Sequence, residues 1–329
     1  MTNITILGTG SHVPAKVLHN SDLEKMGLDT SDEWITRRTG VKERRIAEPD
    51  SAASDLAFIA SQKALDTAGV AADSLDMIIF ATITPDTACP SAANWLQARL
   101  NAVNAVTFDI TAACSGFIFA LNVAEQYLKN QSCRTILVVA AEVMSRTLNW
   151  KDRTTCILWG DGAGAAVLSN APDGHRLLST AVHTDGSQGK DLLLPGGGSR
   201  TTPISHESVD EGRHYLNMIE AKYSFKTAVQ YFSDAIIEGA RQNALDVHDV
   251  AWFIPHQANI RMFQYIAKAM RIPFNKFYLT LQKYGNISSA SCAIALDEAV
   301  CDGSIRKGDI VCMPVFGGGL TWGSAMLRW

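Results

Sequence analysis

The sequence predicts an α/β layered protein built from two similar halves, and three observations carry that prediction. Strand-like apolar runs alternate with helix-like ones along the whole chain, the pattern of sheets covered by helices. At 329 residues the chain exceeds one simple hydrophobic core, so two domains or two halves of one larger fold are expected. In each half a polar residue able to carry chemistry stands just before an Ala/Ser-rich helix: Cys114-Ser-Gly in the first, Asn286-Ile-Ser-Ser-Ala-Ser in the second. The echo is not a strict repeat, but it favours an internal duplication in which both helix N-termini point toward a shared cleft. The halves divide into residues 1–170 and 171–329, at the turn-forming Ala171-Pro-Asp-Gly.

Taken in order, residues 4–8, 77–84, 103–110, 135–142 and 164–169 read as strands, being apolar runs of strand length in a mostly buried sheet. Residues 54–68, 92–100 and 115–128 are longer, and read as helices between them. The second half keeps the rhythm: strands at 177–183, 250–255, 309–315 and 325–329, helices at 225–243, 259–270 and 288–300. Gly8-Thr-Gly10 reads as a turn, because Pro14 arrives too soon for a helix. Gly160-Asp-Gly-Ala-Gly-Ala-Ala-Val-Leu is not a dinucleotide loop, since a strand-like run follows where that motif needs a helix. Pro195-Gly-Gly-Gly-Ser199 reads as a surface loop.

Charge excludes one class of partner. The formal net charge is −4, opposite charges are interspersed, and no basic run long enough to track a phosphate backbone occurs, so nucleic acid is not expected. No basic leader with an apolar core begins the chain and no stretch approaches roughly 20 apolar residues; a soluble cytoplasmic protein is expected. The seven cysteines are then expected to stay reduced. No Cys-x-x-Cys and no His-Glu-x-x-His is present, so no metal site is expected.

The chemistry centres on Cys114. It stands where a strand-like run meets a helix start, and the unpaired N–H groups and positive dipole end there favour a thiolate below the ordinary cysteine value of about 8.5. Phe316-Gly-Gly-Gly-Leu-Thr-Trp-Gly323 is either a flexible hairpin or a source of backbone N–H donors. In the second case the N–H groups of Cys114 and Gly318 would form an oxyanion hole. His256, in Pro255-His-Gln-Ala-Asn259, and Asn286 are the candidates to polarise a thioester carbonyl.

With these residues in place the chain resembles the β-ketoacyl-acyl carrier protein synthases of type III. The resemblance covers essentially the whole length. Its motifs are Asp32-Glu-Trp-Ile, Arg38-Thr-Gly-Val-Lys-Glu-Arg, Ala112-Ala-Cys-Ser-Gly-Phe, Gly160-Asp-Gly-Ala-Gly-Ala-Ala-Val-Leu, His256-Gln-Ala-Asn, Tyr284-Gly-Asn-Ile-Ser-Ser-Ala-Ser and Phe316-Gly-Gly-Gly-Leu-Thr-Trp-Gly-Ser-Ala. It implies a thiolase-like fold of two five-stranded halves in five α-β-α-β-α layers, and a homodimer. It implies that Cys114 takes an acyl group from acyl-coenzyme A. His256 and Asn286 would then hold the enolate formed when malonyl-acyl carrier protein loses carbon dioxide, beside the apolar face of Phe316. No cofactor is implied beyond these substrates.

The same resemblance assigns Trp34 and Arg153 to the adenine of coenzyme A and Arg38 to its nucleotide portion. Leu158, Phe225, Ala258 and Asn259 join Phe316 and Cys89 as substrate-binding positions. Arg261 and Lys268 lie opposite an apolar stripe of Phe263, Ile266, Ala267 and Met270, and with Lys226 they are candidates for docking the acidic carrier protein. Two departures stand out. Cys89 occupies a position commonly held by a phenylalanine that floors the acyl pocket across the dimer, so an acyl group larger than acetyl is expected. The segment from Met218 to Lys226 lacks the usual glycine and is one residue longer, so Ala221, Lys222 and Tyr223 would reshape the pocket entrance.

Rival readings remain open. A specialised relative in secondary metabolism would use an unusual starter or pass the acyl group to a non-malonyl acceptor. A thiolase would need a second catalytic cysteine, which the closing Gly-rich loop lacks. A non-catalytic partner subunit would have no reason to keep Cys114, His256 and Asn286 together.

Overall fold

A computed structural model describes residues 3–190, 192–199, 204–218 and 221–329, with the side chains of residues 221–224 outside that description. The first half contains β1 (Ile4–His12), β2 (Lys16–His19), α1 (Asn20–Lys25), α2 (Asp32–Thr39), β3 (Glu43–Ile46) and α3 (Ala53–Ala68), then β4 (Met77–Ala81), α4 (Ala92–Leu100), β5 (Val106–Ile110), α5 (Gly116–Lys129), β6 (Thr135–Val143) and β7 (Asp161–Ser169). The second contains β8 (His175–Thr184), β9 (Leu192–Leu193), α6 (His206–Asp210), β10 (Asn217–Met218), α7 (Ala221–Gln242), β11 (Trp252–Phe253), α8 (Ile260–Ala269), α9 (Leu281–Tyr284), α10 (Ser291–Cys301), β12 (Ile310–Gly317) and β13 (Thr321–Arg328).

One nine-stranded sheet runs β11-β12-β13-β8-β1-β7-β6-β4-β5. Its two ends are copies of one plan. In the first half β5 and β6 flank β4 in parallel, β7 returns antiparallel beside β6, and β1 lies antiparallel beside β7. In the second, β12 lies parallel to β11, β13 antiparallel to β12, and β8 antiparallel to β13. The expected fifth strand of this half is reduced to a single parallel bridge between Phe253 and Phe277. Three residue pairs, Ile4 to Ile6 of β1 against Leu177 to His175 of β8, join the halves.

Burial shows the layers. Alternate residues of β4 and β6 face opposite ways: Ile78, Phe80, Leu137 and Val139 pack with Leu56 of α3 and Leu96 of α4. Ile79, Val138 and Ala140 pack inward with Phe117 and Leu121 of α5 and Ile294 of α10. That inner cluster also takes Val311, Met313 and Val315 of β12, so α5 and α10 form a middle layer between the halves. On the far side Phe232 of α7 and Phe263 and Ile266 of α8 cover Phe253 and Cys312. Helices, sheet, helices, sheet and helices follow in that order.

Some boundaries move for local reasons. Gly8 and Gly10 lie within β1 rather than in a turn. A Cβ on Gly8 would stand 2.5 Å from Ala68 N, and one on Gly10 2.4 Å from Ala60 O, so glycine lets α3 lie directly on the strand. The expected strand at 250–255 is assigned only as β11, yet Ile254 N and His256 N still donate to Cys312 and Pro314 carbonyls at 2.8 and 3.0 Å. Among the described residues no helix is long and apolar enough to cross a membrane. No group of three His, Cys, Asp or Glu there could hold a metal ion.

Candidate active site

Two turns of the same shape face each other in the middle layer. Ala113 has φ 45° and opens the 3-10 turn Ala113–Ser115 before α5; Ser288 has φ 45° and opens Ser288–Ala290 before α10. Positive φ is costly for a residue with a Cβ, and its recurrence at both places marks a conserved construction of the two halves. The match fixes the register between them. Cys114 corresponds to Ser289, and Asn286 to Thr111, so the sequence echo of Cys114 with Asn286 is offset by three positions.

Cys114 is buried, and the end of β12 lies against its main chain. A Cβ on Gly317 would stand 2.7 Å from Cys114 N and 3.1 Å from Cys114 Cβ, so only glycine fits. Thr321 Oγ1 donates to Ala112 O and Ser115 Oγ to Thr321 O, both at 3.1 Å. The glycine hairpin is thereby laced to the turn that carries the sulfur. Gly318 follows, with Leu192 Cδ2 3.3 Å and Ala113 Cβ 3.8 Å from where its Cβ would be.

His256 extends the β11 ladder onto β12, and Gln257 beside it anchors the next segment. Gln257 Oε1 accepts from Thr280 N at 2.9 Å and Leu281 N at 3.1 Å, while its Nε2 donates to Pro255 O at 2.7 Å. Asn286 is held in the other direction, toward the first half: its N–H donates to Leu158 O at 2.8 Å and its carbonyl accepts from Gly160 N at 3.0 Å. Ser288 N donates to Asn286 Oδ1 at 2.8 Å. Because that partner is a donor, the atom facing it must be the amide oxygen, which leaves Nδ2 as a donor to the site.

Ser288 also ties in the other two groups. Its main chain contacts the His256 ring and its side chain lies beside the Cys114 sulfur. Burial holds His256 neutral, lowering its pKa to about 3, with the Ser288 main chain pulling weakly the other way. His256 Nδ1 has no hydrogen-bond partner. In the neutral ring one nitrogen carries the proton and donates while the other accepts.

Cys114 departs from expectation. Burial pushes its thiol up to about 12, opposed by contact with Ser288 and by its own N–H, and the nearby Glu142 adds to the rise. Removal from water favours the neutral thiol in the resting enzyme. Cys114 belongs to a buried apolar cluster with Met144, Leu148, Cys156, Ile157, Trp159 and Leu216.

The match to known proteins follows this construction. Residues 108–186 match the family described as 3-oxoacyl-[acyl-carrier-protein (ACP)] synthase III, and residues 240–329 its C-terminal part. The chain is 50% identical to β-ketoacyl-[acyl-carrier-protein] synthase III of Caldanaerobacter subterraneus subsp. tengcongensis, over 98% of this chain and 97% of that one. This chain belongs to the synthase III family. The solved 3-oxoacyl-[acyl-carrier-protein] synthase III of Aquifex aeolicus VF5 is 41% identical with a TM-score of 0.91, covering 99% of this chain and all of that one. The priming β-ketosynthase of the R1128 polyketide pathway is 32% identical at TM-score 0.90, covering 99% and 96%.

In this synthase III the remaining candidates fall into three places. Arg38 and Arg153 both lie over the Trp34 ring, their guanidinium carbons 5.5 and 5.2 Å from its centroid. Arg153 also bonds the Asp29 carbonyl and carboxylate. Asn259 caps α8, accepting from Arg261 N at 2.9 Å and donating to Arg38 O at 3.2 Å; both ends of its amide are engaged within the protein. Leu158 and Leu192 border the cluster around Cys114. Ala258 and Phe316 are partly buried together, with Phe316 6.2 Å from Phe232 and 6.0 Å from Tyr231. Phe225 is partly buried on α7, and Lys226, Arg261 and Lys268 are exposed on α7 and α8.

Cys89 is exposed and is not among the residues of the buried cluster that holds Cys114. The side chains of Ala221, Lys222 and Tyr223 lie outside the described residues. Sequence reasoning missed Glu142. It is fully buried at the end of β6, and its Oε2 accepts from Ile83 N at 3.0 Å, Thr84 Oγ1 at 2.8 Å and Thr82 Oγ1 at 3.1 Å. A lone acid closing the apolar run Thr135–Val143 was the available signal.

Proposed function

We propose that this synthase III moves an acyl group from acyl-coenzyme A to Cys114 and condenses it with malonyl-acyl carrier protein, with loss of carbon dioxide, to give a 3-oxoacyl carrier-protein product. One observation carries the reading: the Asn286 amide and the neutral His256 ring, each able to donate an N–H, are held through Ser288 beside a buried cysteine.

The Cys114 sulfur attacks the thioester carbon, the N–H groups of Cys114 and Gly318 receive the oxyanion, and coenzyme A leaves with the proton that Cys114 gives up. The malonyl carbon–carbon bond then breaks. Its electrons pass into an enolate whose oxygen Asn286 and His256 hold, and the fixed donors favour that charge over the neutral thioester. Phe316 gives the departing carboxylate an apolar neighbour, which favours neutral carbon dioxide. The enolate carbon attacks the acyl group, the carbon–sulfur bond breaks, and the Cys114 thiolate takes a proton from solvent.

Trp34, Arg38 and Arg153 would receive the nucleotide of coenzyme A, and Lys226, Arg261 and Lys268 the acidic carrier protein. Residues 1–170 and 171–329 serve as nucleophile-bearing and donor-bearing halves of a cytoplasmic enzyme that needs no cofactor. Edge strand β5 and α4 expose Val106 and Trp95, a surface a second copy would cover in a homodimer, with Cys89 close by in sequence. In such a dimer the small Cys89 side chain leaves room for acyl groups longer than acetyl.

Intact-protein mass spectrometry with acetyl- to octanoyl-coenzyme A identifies the starter. Adding malonyl-carrier protein must then release carbon dioxide and a 3-oxoacyl product. Acyl transfer to another acceptor without carbon dioxide would favour the specialised relative instead.

A further inference from the structure

Ser288 joins the three proposed catalytic groups, and its hydroxyl has no nitrogen or oxygen partner: it lies against the Cys114 sulfur. The residue is fully buried and its φ is 45°. A buried hydroxyl without such a partner is unfavourable, and so is a serine at positive φ. The turn does not need the hydroxyl to form. Its counterpart in the first half, Ala113, holds the same φ of 45° with only a methyl group. The N–H of Ser288 is bound to Asn286 Oδ1 at 2.8 Å, so the residue is anchored where its side chain lies against the Cys114 sulfur.

We propose that Ser288 is a further catalytic residue, whose hydroxyl donates a hydrogen bond to the Cys114 sulfur when that sulfur is an anion. The inference rests on the reading above, in which the sulfur becomes anionic twice: as it attacks acyl-coenzyme A and as the condensed product leaves. In the acyl-enzyme between these steps the sulfur is a neutral thioester, and the hydroxyl then has no anion to serve. The role is therefore separable from that of His256 and Asn286, which act on the malonyl thioester.

Ser288→Ala tests this. The titratable groups that act electrostatically on the sulfur, Glu142 of β6 and Cys292 of α10, are unchanged by the substitution, as is neutral His256. Iodoacetamide alkylation of Cys114 at fixed pH is expected to slow about tenfold, the size of one hydrogen bond to a charged group, with the pH profile moved upward. Acyl loading slows in parallel. Carbon dioxide release from malonyl-carrier protein by enzyme already acylated keeps the wild-type rate.

An unchanged alkylation profile overturns the proposal. So does an equal loss of decarboxylation, because a merely structural Ser288 would disturb Asn286 as well. If Ser288→Ala does not fold, Ser288→Gly carries the same comparison, since glycine takes this φ without strain. Loss of folding in both makes the hydroxyl a structural group and refutes the idea. Alkylation needs no substrate, so a wild-type enzyme that takes no acyl group from coenzyme A would defeat the proposed function separately.

Discussion

Ser289 Oγ lies 2.6 Å from Glu142 Oε1, joining the two halves at the residue that stands where Cys114 stands in the first. Glu142 accepts four donors in all, and it thereby fixes the turn that carries Ser288. Replacing it with alanine strands those donors in the core. We expect Glu142→Ala to lose roughly 2–4 kcal/mol of stability in urea unfolding, and Glu142→Gln markedly less. A loss below about 1 kcal/mol for the alanine variant would show that water replaces the carboxylate.

The Cys114 thiol, pushed up to about 12, sets a pH dependence. The thiolate fraction below that value rises tenfold per pH unit, so alkylation should climb steadily from pH 6 to about pH 10. A plateau near pH 8 would mean that the helix start outweighs burial after all.

His256 has the opposite sign. Its folded pKa of about 3 lies below the ordinary histidine value of 6.5, so between these values the unfolded chain binds the extra proton. Stability from this group is complete above pH 6.5 and is lost as pH falls toward 3. The stability gap between wild type and His256→Gln should therefore shift against wild type in acid. The variant should also lose about 100-fold or more in decarboxylation, while acyl loading changes little.

Much of this was legible in the sequence because its signals are local. Cys114 before a helix, the glycine run at 317–319 and the apolar strands announce themselves by type and spacing. The turn assigned to Gly8 and Gly10 failed because what needs those glycines is α3, some 50 residues away. Glu142, Ser288 and Ser289 were missed for a related reason: each matters through a contact between the halves, and serines before a helix look like ordinary capping residues. The thiol of Cys114 was misjudged because burial, which decides it, is a property of the assembled layers.

Gly317 tests the fit of the hairpin against the nucleophile. A methyl group there meets Cys114 N at 2.7 Å and Cys114 Cβ at 3.1 Å; the first is main chain, so a side-chain rotation cannot relieve it. Gly317→Ala should cost about 1–3 kcal/mol and slow acyl loading by about 100-fold through displacement of the turn. Gly186→Ala, with nothing within 4 Å, is the control and should match wild type in both measurements.

Trp34 gives a test of the coenzyme A mouth that chemistry at Cys114 cannot mimic. The Arg153 guanidinium lies over the indole at 5.2 Å and is tethered to Asp29, so a base entering between guanidinium and indole must displace the guanidinium and take over its contact. The exchange keeps a planar cation on one side of the base and an indole on the other. Stacking of this kind is worth about 1–3 kcal/mol per base, which corresponds to a rise of roughly 5- to 150-fold in KM for acyl-coenzyme A in Trp34→Ala. An acyl-pantetheine thioester lacks the nucleotide, so its loading rate should be the same in wild type and variant. Equal defects with both thioesters would instead mean that Trp34 supports the fold around α2, and the nucleotide would then bind elsewhere.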